Sequence, residues 1–240
     1  MNELFNNKIH LNKEEHKYEL EDKPDFEFIS VTTFIDTFFE EFDAQRVAQK
    51  LVKSSIKYMG MKVEDVLQQW KNSAIHGTKV HEEIEDYLLK NLTYEDITES
   101  KSIHAISWLN KYKMKSNFKV YPEVVIYSEE LKIAGTIDLL LHDTVNDYYC
   151  LMDWKTSKSI PTKSYKRKMG THVATQNIED TKFNHYALQL SLYRYLLETY
   201  YNIKINENII VHLKEHDCIG LHSPYMKDQV INMLQTTRSE

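Results

Sequence analysis

The first half of this chain spaces its apolar residues for helices, whereas the second half packs them into β-branched runs separated by polar turns. Tyr18, Phe26, Phe28 and Ile29 suggest a short β-hairpin that leads into Ser30-Val31-Thr32. Phe34, Phe38, Phe39 and Phe42 then recur near helical spacing, and Val47, Leu51 and Val52 continue that stripe. Val63 to Trp70 predicts another helix with Val66, Leu67 and Trp70 on one face. Val80, Ile84, Tyr87 and Leu88 predict an amphipathic helix for which Thr78 can serve as N-cap, and a further helix covers about 103–114. Three strands follow at about 120–128, 131–142 and 148–155, the last two joined by the turn residues Thr144–Asp147. A helix from about 184 to 201 carries Leu188, Leu190, Leu192, Leu196 and Leu197 on nearly all faces, which predicts a buried helix. A last strand at 208–213 and a helix near 226–235 close the chain. This αβββαβ order predicts an α/β (α+β) protein, its mixed central sheet flanked by helices. With only five Gly and four Pro, no linker is marked, so residues 1–240 read as one domain: a hairpin and helical part to 116, then a sheet core from 117.

The β-rich half also carries the charged chemistry. Asp138 ends the run Ala134-Gly135-Thr136-Ile137-Asp138, and Leu151-Met152-Asp153-Trp154-Lys155 returns across the turn. If Val145 and Asn146 are the central turn residues, antiparallel counting places Asp138 opposite Asp153, as neighbours on one face. Alternation puts Lys155 on that face too and turns Met152 and Trp154 away. A surface ion pair would be the ordinary reading of Asp153 and Lys155. Both aspartates, however, sit inside apolar runs, and buried carboxylates need cations, which a divalent metal supplies. Gln189 and Tyr193 lie four apart on the apolar helix and must find partners, either in the core or in a site. His81 shares a helix side with Gly77, Ile84, Glu85 and Leu88, as a hydrogen-bonded core histidine or a ligand. A His-Glu-x-x-His zinc motif is excluded because position 85 is Glu85. Glu123, ahead of Val124 and Val125, is either a further site acid or an edge-strand charge.

Asp138 followed by Asp153-x-Lys155 resembles the PD-(D/E)xK nuclease superfamily. Ser30-Val31-Thr32-Thr33, Gly77-Thr78-x-x-His81-x-x-x-Glu85, Glu123 and Gln189-x-x-x-Tyr193 extend that resemblance, over about residues 16–200, to its RecB/Cas4-like exonuclease branch. The resemblance implies a restriction-endonuclease-like core and one or two Mg²⁺ or Mn²⁺ ions. Their ligands would be His81, Asp138, Asp153 and the main-chain carbonyl of Trp154, with Glu123 and Glu85 as candidate further acids. Asp138, Asp153, Lys155, Gln189 and Tyr193 would form the catalytic set, Lys155 either stabilising the attacking water or helping to deprotonate it. Cleavage would leave a 5′-phosphate. The branch favours single-stranded DNA ends that thread beneath a helical arch, for which residues 34–115 are candidates, and Ser30 and Thr32 would touch the DNA. Several members hold an iron–sulfur cluster on four cysteines; with only Cys150 and Cys218 here, no such cluster is expected.

A net charge of −6 argues against broad coating of duplex DNA, but the charge is unevenly distributed. Residues 1–100 carry 12 Lys+Arg against 21 Asp+Glu, and residues 101–240 carry 18 against 15. After Lys155, the segment Thr156, Ser157, Lys158, Lys163, Lys166, Arg167 and Lys168 contains no carboxylate. It reads as a solvated loop or as a grip on DNA phosphates, with Tyr165 available to stack a base. No P-loop motif is present, so unwinding would need a partner helicase or another replication or recombination protein. Without a long apolar run, and with Asn2, Glu3 and Asn6 where a leader would be basic and then apolar, the chain reads as soluble and cytoplasmic, with no membrane partner. The expectation is a DNA exonuclease of genome repair, recombination or replication. A structure-specific endonuclease and an inactive DNA-binding module are the alternatives.

Overall fold

The computed structural model describes residues 8–13, 15, 17–114 and 117–237; Asn2, Glu3 and Asn6, and the predicted boundary at 116, lie outside them. Strands β1 (Ile9–Asn12) and β2 (Lys17–Leu20) form an antiparallel hairpin, followed by the two-residue strand β3 (Ile29–Ser30). The hairpin therefore lies earlier than the aromatic run suggested. Phe26 and Phe28 are outside any strand and instead pack with Ile9, Leu20 and Ala134.

Helix α1 (Val31–Asp36) starts where Ser30 Oγ accepts the Thr33 N–H, and α2 (Ala44–Ser54) where Asp43 accepts the Arg46 N–H. These caps divide the predicted single stripe of Phe34 to Val52 into two helices. The opposite correction applies next, because α3 (Val63–Leu88) runs unbroken through both helices expected there. Thr78 is not its cap; its hydroxyl donates to the Ala74 carbonyl within the helix. Gly77 costs a helix interior about 1 kcal/mol relative to Ala, yet a Cβ at this position would lie 2.9 Å from Thr156 Oγ1. The glycine lets the helix rest against the end of a strand.

Helix α4 (Ser100–Lys113) leads into β4 (Phe118–Ser128), β5 (Ile133–Asp143), β6 (Tyr148–Lys155), α5 (Lys182–Tyr200), β7 (Ile205–Leu213), β8 (Cys218–Ser223) and α6 (Lys227–Thr237). From α4 to β7 the order is αβββαβ, as the hydrophobic pattern predicts. Strand β8 was not anticipated, since its Cys-Ile-Gly-Leu-His-Ser has a glycine at its centre and too few residues for a legible alternation.

The main sheet is mixed. β4, β5 and β6 pair antiparallel, β6 and β7 pair parallel, and β8 closes one edge against β7. Because β4 occupies one edge of β5 from Ile133 to Asp143, the parallel β3 pairing at Ile133 and Ala134 lies on the same edge as β6. Residues of α1, α5 and α6 fill the core on one face, and residues of α3 and α4 fill it on the other. The fold is α+β, a mixed central sheet between two helical layers. Among the described residues no helix is long and apolar enough to cross a membrane.

The turn between β5 and β6 sets the register on which the site depends. Buried Asp143 accepts the N–H groups of Val145 and Asn146 through Oδ1 and the Asn146 side-chain amide through Oδ2. Leu139↔Met152 through Asp143↔Tyr148 then pair in the register expected for a turn centred on Val145 and Asn146.

Close packing tests this arrangement at Gly135, where a Cβ would lie 2.5 Å from Tyr193 Cε1 and 3.0 Å from Val31 Cγ2. Gly135→Ala should cost about 1–3 kcal/mol, seen as a lower urea midpoint with an unchanged slope. An unchanged midpoint would mean that Tyr193 does not lie over β5 as described.

Candidate functional site

The site forms where the sheet opens. The β5–β6 ladder stops at Leu139↔Met152, and β3 takes the same edge of β5 only at Ile133 and Ala134, so no ladder pairing spans residues 135–138 on that edge. On the other edge the β4–β5 ladder passes from Pro122↔Leu139 to Val124↔Ile137 and omits Glu123 and Asp138. Glu123 sits at φ +46°, a left-handed conformation that costs a non-glycine residue on the order of 1–3 kcal/mol. The inside-outside alternation breaks at the same level: Ile133 and Ile137 belong to the core under α5, whereas Leu139 and Leu141 belong to the core under α3 and α4.

This break turns Asp138 into the seam. Its Oδ2 accepts the Trp154 N–H at 2.7 Å, and the same oxygen lies 3.5 Å from His81 Nδ1 on α3. Ligand atoms of His81, Glu123 and Asp138 all fall within 4.8 Å of one another. Burial, reinforced by the Asp138 and Glu85 carboxylates, pushes the Glu123 carboxyl well above the usual carboxylate range. Glu123 is thus a member of the cluster and not an edge-strand charge. Glu85 is peripheral, with its Oε2 3.3 Å from Lys13 Nζ on the N-terminal hairpin.

Asp153 lies beside this cluster but outside it. Counting along an unbroken hairpin placed both aspartates on one face, whereas Asp138 turns toward α3 and Asp153 toward α5. Asp153 Oδ1 accepts Gln189 Nε2 at 3.2 Å, and Oδ2 lies 2.6 Å from Lys155 Nζ. That oxygen is buried and receives no aligned hydrogen bond. Burial pushes the Asp153 carboxyl up, against the pull of Lys155. For Lys155 burial works against the charge, but the Asp153 and Asp138 carboxylates outweigh it and hold the ammonium above the usual lysine range. Trp154 contributes its main-chain N–H to Asp138, and its indole is buried edge-on to Trp108.

Helix α5 supplies the other wall through Lys182, Tyr186, Gln189 and Tyr193, which recur at helical spacing. Gln189 Oε1 accepts Lys155 Nζ at 3.2 Å, Gln189 Nε2 donates to Tyr193 Oη at 3.3 Å, and Lys155 Nζ stands 4.6 Å from the centre of the Tyr186 ring. Burial raises the Tyr193 hydroxyl well above its usual range, so it remains protonated. Tyr186 escaped the sequence reading, although its position one turn before Gln189 was a usable signal.

His81 and Lys155 open onto a cavity of about 1120 Å³ whose lining also includes Lys101, Lys158, Lys182 and Lys214. Thr156 and Ser157 also line it, the Thr156 carbonyl accepting Lys101 Nζ at 3.0 Å and the Ser157 carbonyl facing His212 Nε2 at 2.6 Å. The predicted basic run does not converge here as a unit. Lys163 and Lys168 line a second cavity of about 900 Å³ beside α1 and α2, where Lys168 is 2.6 Å from Glu40. Lys166 and Arg167 are exposed in a turn with left-handed backbone, and neither lines the first cavity. Ser30 uses its Oγ to cap α1, 3.0 Å from Thr32 Oγ1, so a structural role accounts for both hydroxyls.

No family model matches this chain, and no curated protein matches it. Among solved structures, the crystal structure of SSO0001 is similar at 14% identity, with a TM-score of 0.40 over 88% of this chain and 75% of that one. The donor set itself favours a divalent ion: an imidazole and two carboxylates converge, and no thiolate is among them.

Glu123 gives this fit a signature in stability. Its folded carboxyl is raised above its unfolded value near 4.3, so the folded protein binds more protons and stability must fall as pH rises through that window. In chelator, Tm should therefore fall between about pH 6 and 8 by more than in Glu123→Gln, and Mn²⁺ should flatten the wild-type slope. Equal slopes in the two proteins would refute this charge assignment. Lys155→Met removes the cation from buried Asp153 and should destabilise the metal-free protein by about 3–5 kcal/mol in urea unfolding. A loss below about 1 kcal/mol would show that Asp153 is not charged there.

Proposed function

We infer that this protein is a divalent-metal-dependent deoxyribonuclease of the PD-(D/E)xK type, acting as an exonuclease on single-stranded DNA ends. One observation carries the reading: the His81–Glu123–Asp138 cluster adjoins buried Asp153 and Gln189 and half-buried Lys155, and His81 and Lys155 of this group line a lysine-rich cavity. Carboxylates that hold a cation, next to lysines that attract a polyanion, suit phosphodiester hydrolysis better than either feature alone.

His81, Glu123 and Asp138, with Asp153 beside them, would hold Mg²⁺ or Mn²⁺. Such an ion lowers the pKa of bound water and neutralises charge that builds on the phosphate. Lys155, kept charged by its two carboxylates, offers its ammonium to a phosphate oxygen or to the attacking water as a hydrogen-bond donor. Gln189 fixes that ammonium by accepting from it while donating to Asp153, and the Tyr186 ring bounds it on another side. Lys101, Lys158, Lys182 and Lys214 grip flanking phosphates without reading bases.

Labelled linear and circular DNA, single-stranded and duplex, incubated with Mg²⁺, Mn²⁺ or chelator, tests it. Linear single strands should shorten only with metal, Asp153→Asn should abolish the reaction, and Lys155→Ala should slow it by about 100-fold or more. Nicked or opened circles would instead assign an endonuclease. Binding without cleavage under every metal would reduce the protein to a DNA-binding module.

A further inference from the structure

Helix α3 carries an aromatic wall that the hydrolytic machinery does not use. Trp70 and Tyr58 line the same cavity as His81 and Lys155, and both are half-buried, each leaving part of its ring surface uncovered. Trp70 lies on the face of α3 that also bears Gly77 and His81, which is the face turned toward the end of β6. It packs against Phe42 with ring centroids 5.7 Å apart, so Phe42, itself 67% exposed, buttresses the indole from the side away from the cavity. Lys57 Nζ donates to Tyr58 Oη at 2.8 Å and stands 4.4 Å from the centre of its ring, which brings a cation to the same wall.

The two cavities differ in charge on either side of the Phe42–Trp70 pair. Trp70 lines the lysine-rich cavity, while Phe42 lines the second one, together with Asp36, Glu40, Glu41, Asp43 and Asp180. Both share Lys182 and Tyr186 on α5. At the second cavity Arg46, Lys163, Lys168 and Lys182 nearly balance those carboxylates, so a polyanion is drawn more strongly to the first, on the side of the pair that Trp70 faces.

We propose that Trp70 and Tyr58, backed by Phe42, form a base-stacking subsite for an unpaired nucleotide in the cavity that His81 and Lys155 also line, about 16 Å along α3 from His81. The inference rests on the nuclease reading for the identity of the polyanion. A ring that offers a free face stacks any unpaired base but no internal base pair, because a pair inside a duplex is already covered on both faces by its neighbours. The subsite thereby selects for unpaired strand while the lysines, which see only phosphate, do not discriminate.

The test separates bases from phosphates. An all-thymidine oligonucleotide and an abasic oligonucleotide of equal length are titrated against the full chain in chelator, so that binding is read without cleavage. Wild type should bind the thymidine strand about tenfold more tightly than the abasic one. Trp70→Ala should remove most of that margin while leaving abasic binding and its salt dependence unchanged, and Trp70→Phe should restore part of it. A wild-type margin below about twofold, or a full margin surviving in Trp70→Ala, would overturn the subsite while leaving the nuclease reading intact. Absence of binding to either strand, together with absence of cleavage, would overturn both. The wild-type comparison needs no variant, so misfolding of Trp70→Ala cannot decide the outcome.

Discussion

Everything at the site depends on one hydrogen bond that a side chain makes in place of a strand. Where β5 and β6 part, the Trp154 N–H has lost its place in the antiparallel ladder, and Asp138 Oδ2 accepts it at 2.7 Å. A buried N–H without an acceptor would cost the sheet about 1–3 kcal/mol. Meeting that demand with a carboxylate draws a negative charge into the seam. The strands part over a buried apolar stretch of β5, and the Asp138 carboxylate makes that seam electronegative, so the structural repair and the candidate site share one atom.

That atom also accounts for where the sequence was readable. The αβββαβ order and the register across the Val145–Asn146 turn were legible because β-branched runs, turn residues and a constant index sum are local properties. The pairing of Lys155 with Asp153 and the burial of Gln189 were equally legible, being consequences of period-2 and helical spacing. What failed was the extension of that alternation through Asp138. The inversion between Ile137 and Leu139 depends on Glu123 adopting a left-handed φ on the neighbouring strand, and nothing in Pro122-Glu123-Val124 announces it. Unbroken α3 was missed for a related reason: Gly77-Thr78 looks like a helix boundary until the contact with Thr156, some eighty residues away in sequence, requires a residue without a side chain. The basic run was read as one patch because it is contiguous in sequence, yet Glu40 draws Lys168 to a different cavity.

Two charge systems meet at Asp153 without cancelling. On the α3 side, burial first and then the neighbouring Asp138 and Glu85 carboxylates raise Glu123, so the cluster takes up its full negative charge only at a cost. On the α5 side, Lys155 balances Asp153 at the expense of its own hydration, with Gln189 and Tyr186 filling the remaining contacts. Surplus charge on one side and internal balance on the other divide the labour: the first side lacks a cation, whereas the second already holds one that cannot leave.

The same division settles what the protein must exclude. Lys155 is tethered at the end of β6 and is held charged by Asp153 and Asp138, so its role as a donor does not wait for metal. The α3 cluster is different, since its three ligating groups come from a helix and two strands and have only a few ångströms of opening in which to converge. A cation entering there would offset the burial and the carboxylate repulsion that together raise Glu123, and with Lys155 already in position on the opposite side, a phosphate would find positive charge on both flanks only after the ion is bound. In the proposed enzyme, dependence on metal is therefore a property of how the sheet opens at Asp138, because that opening assembles one half of the site complete and leaves the other half short of charge.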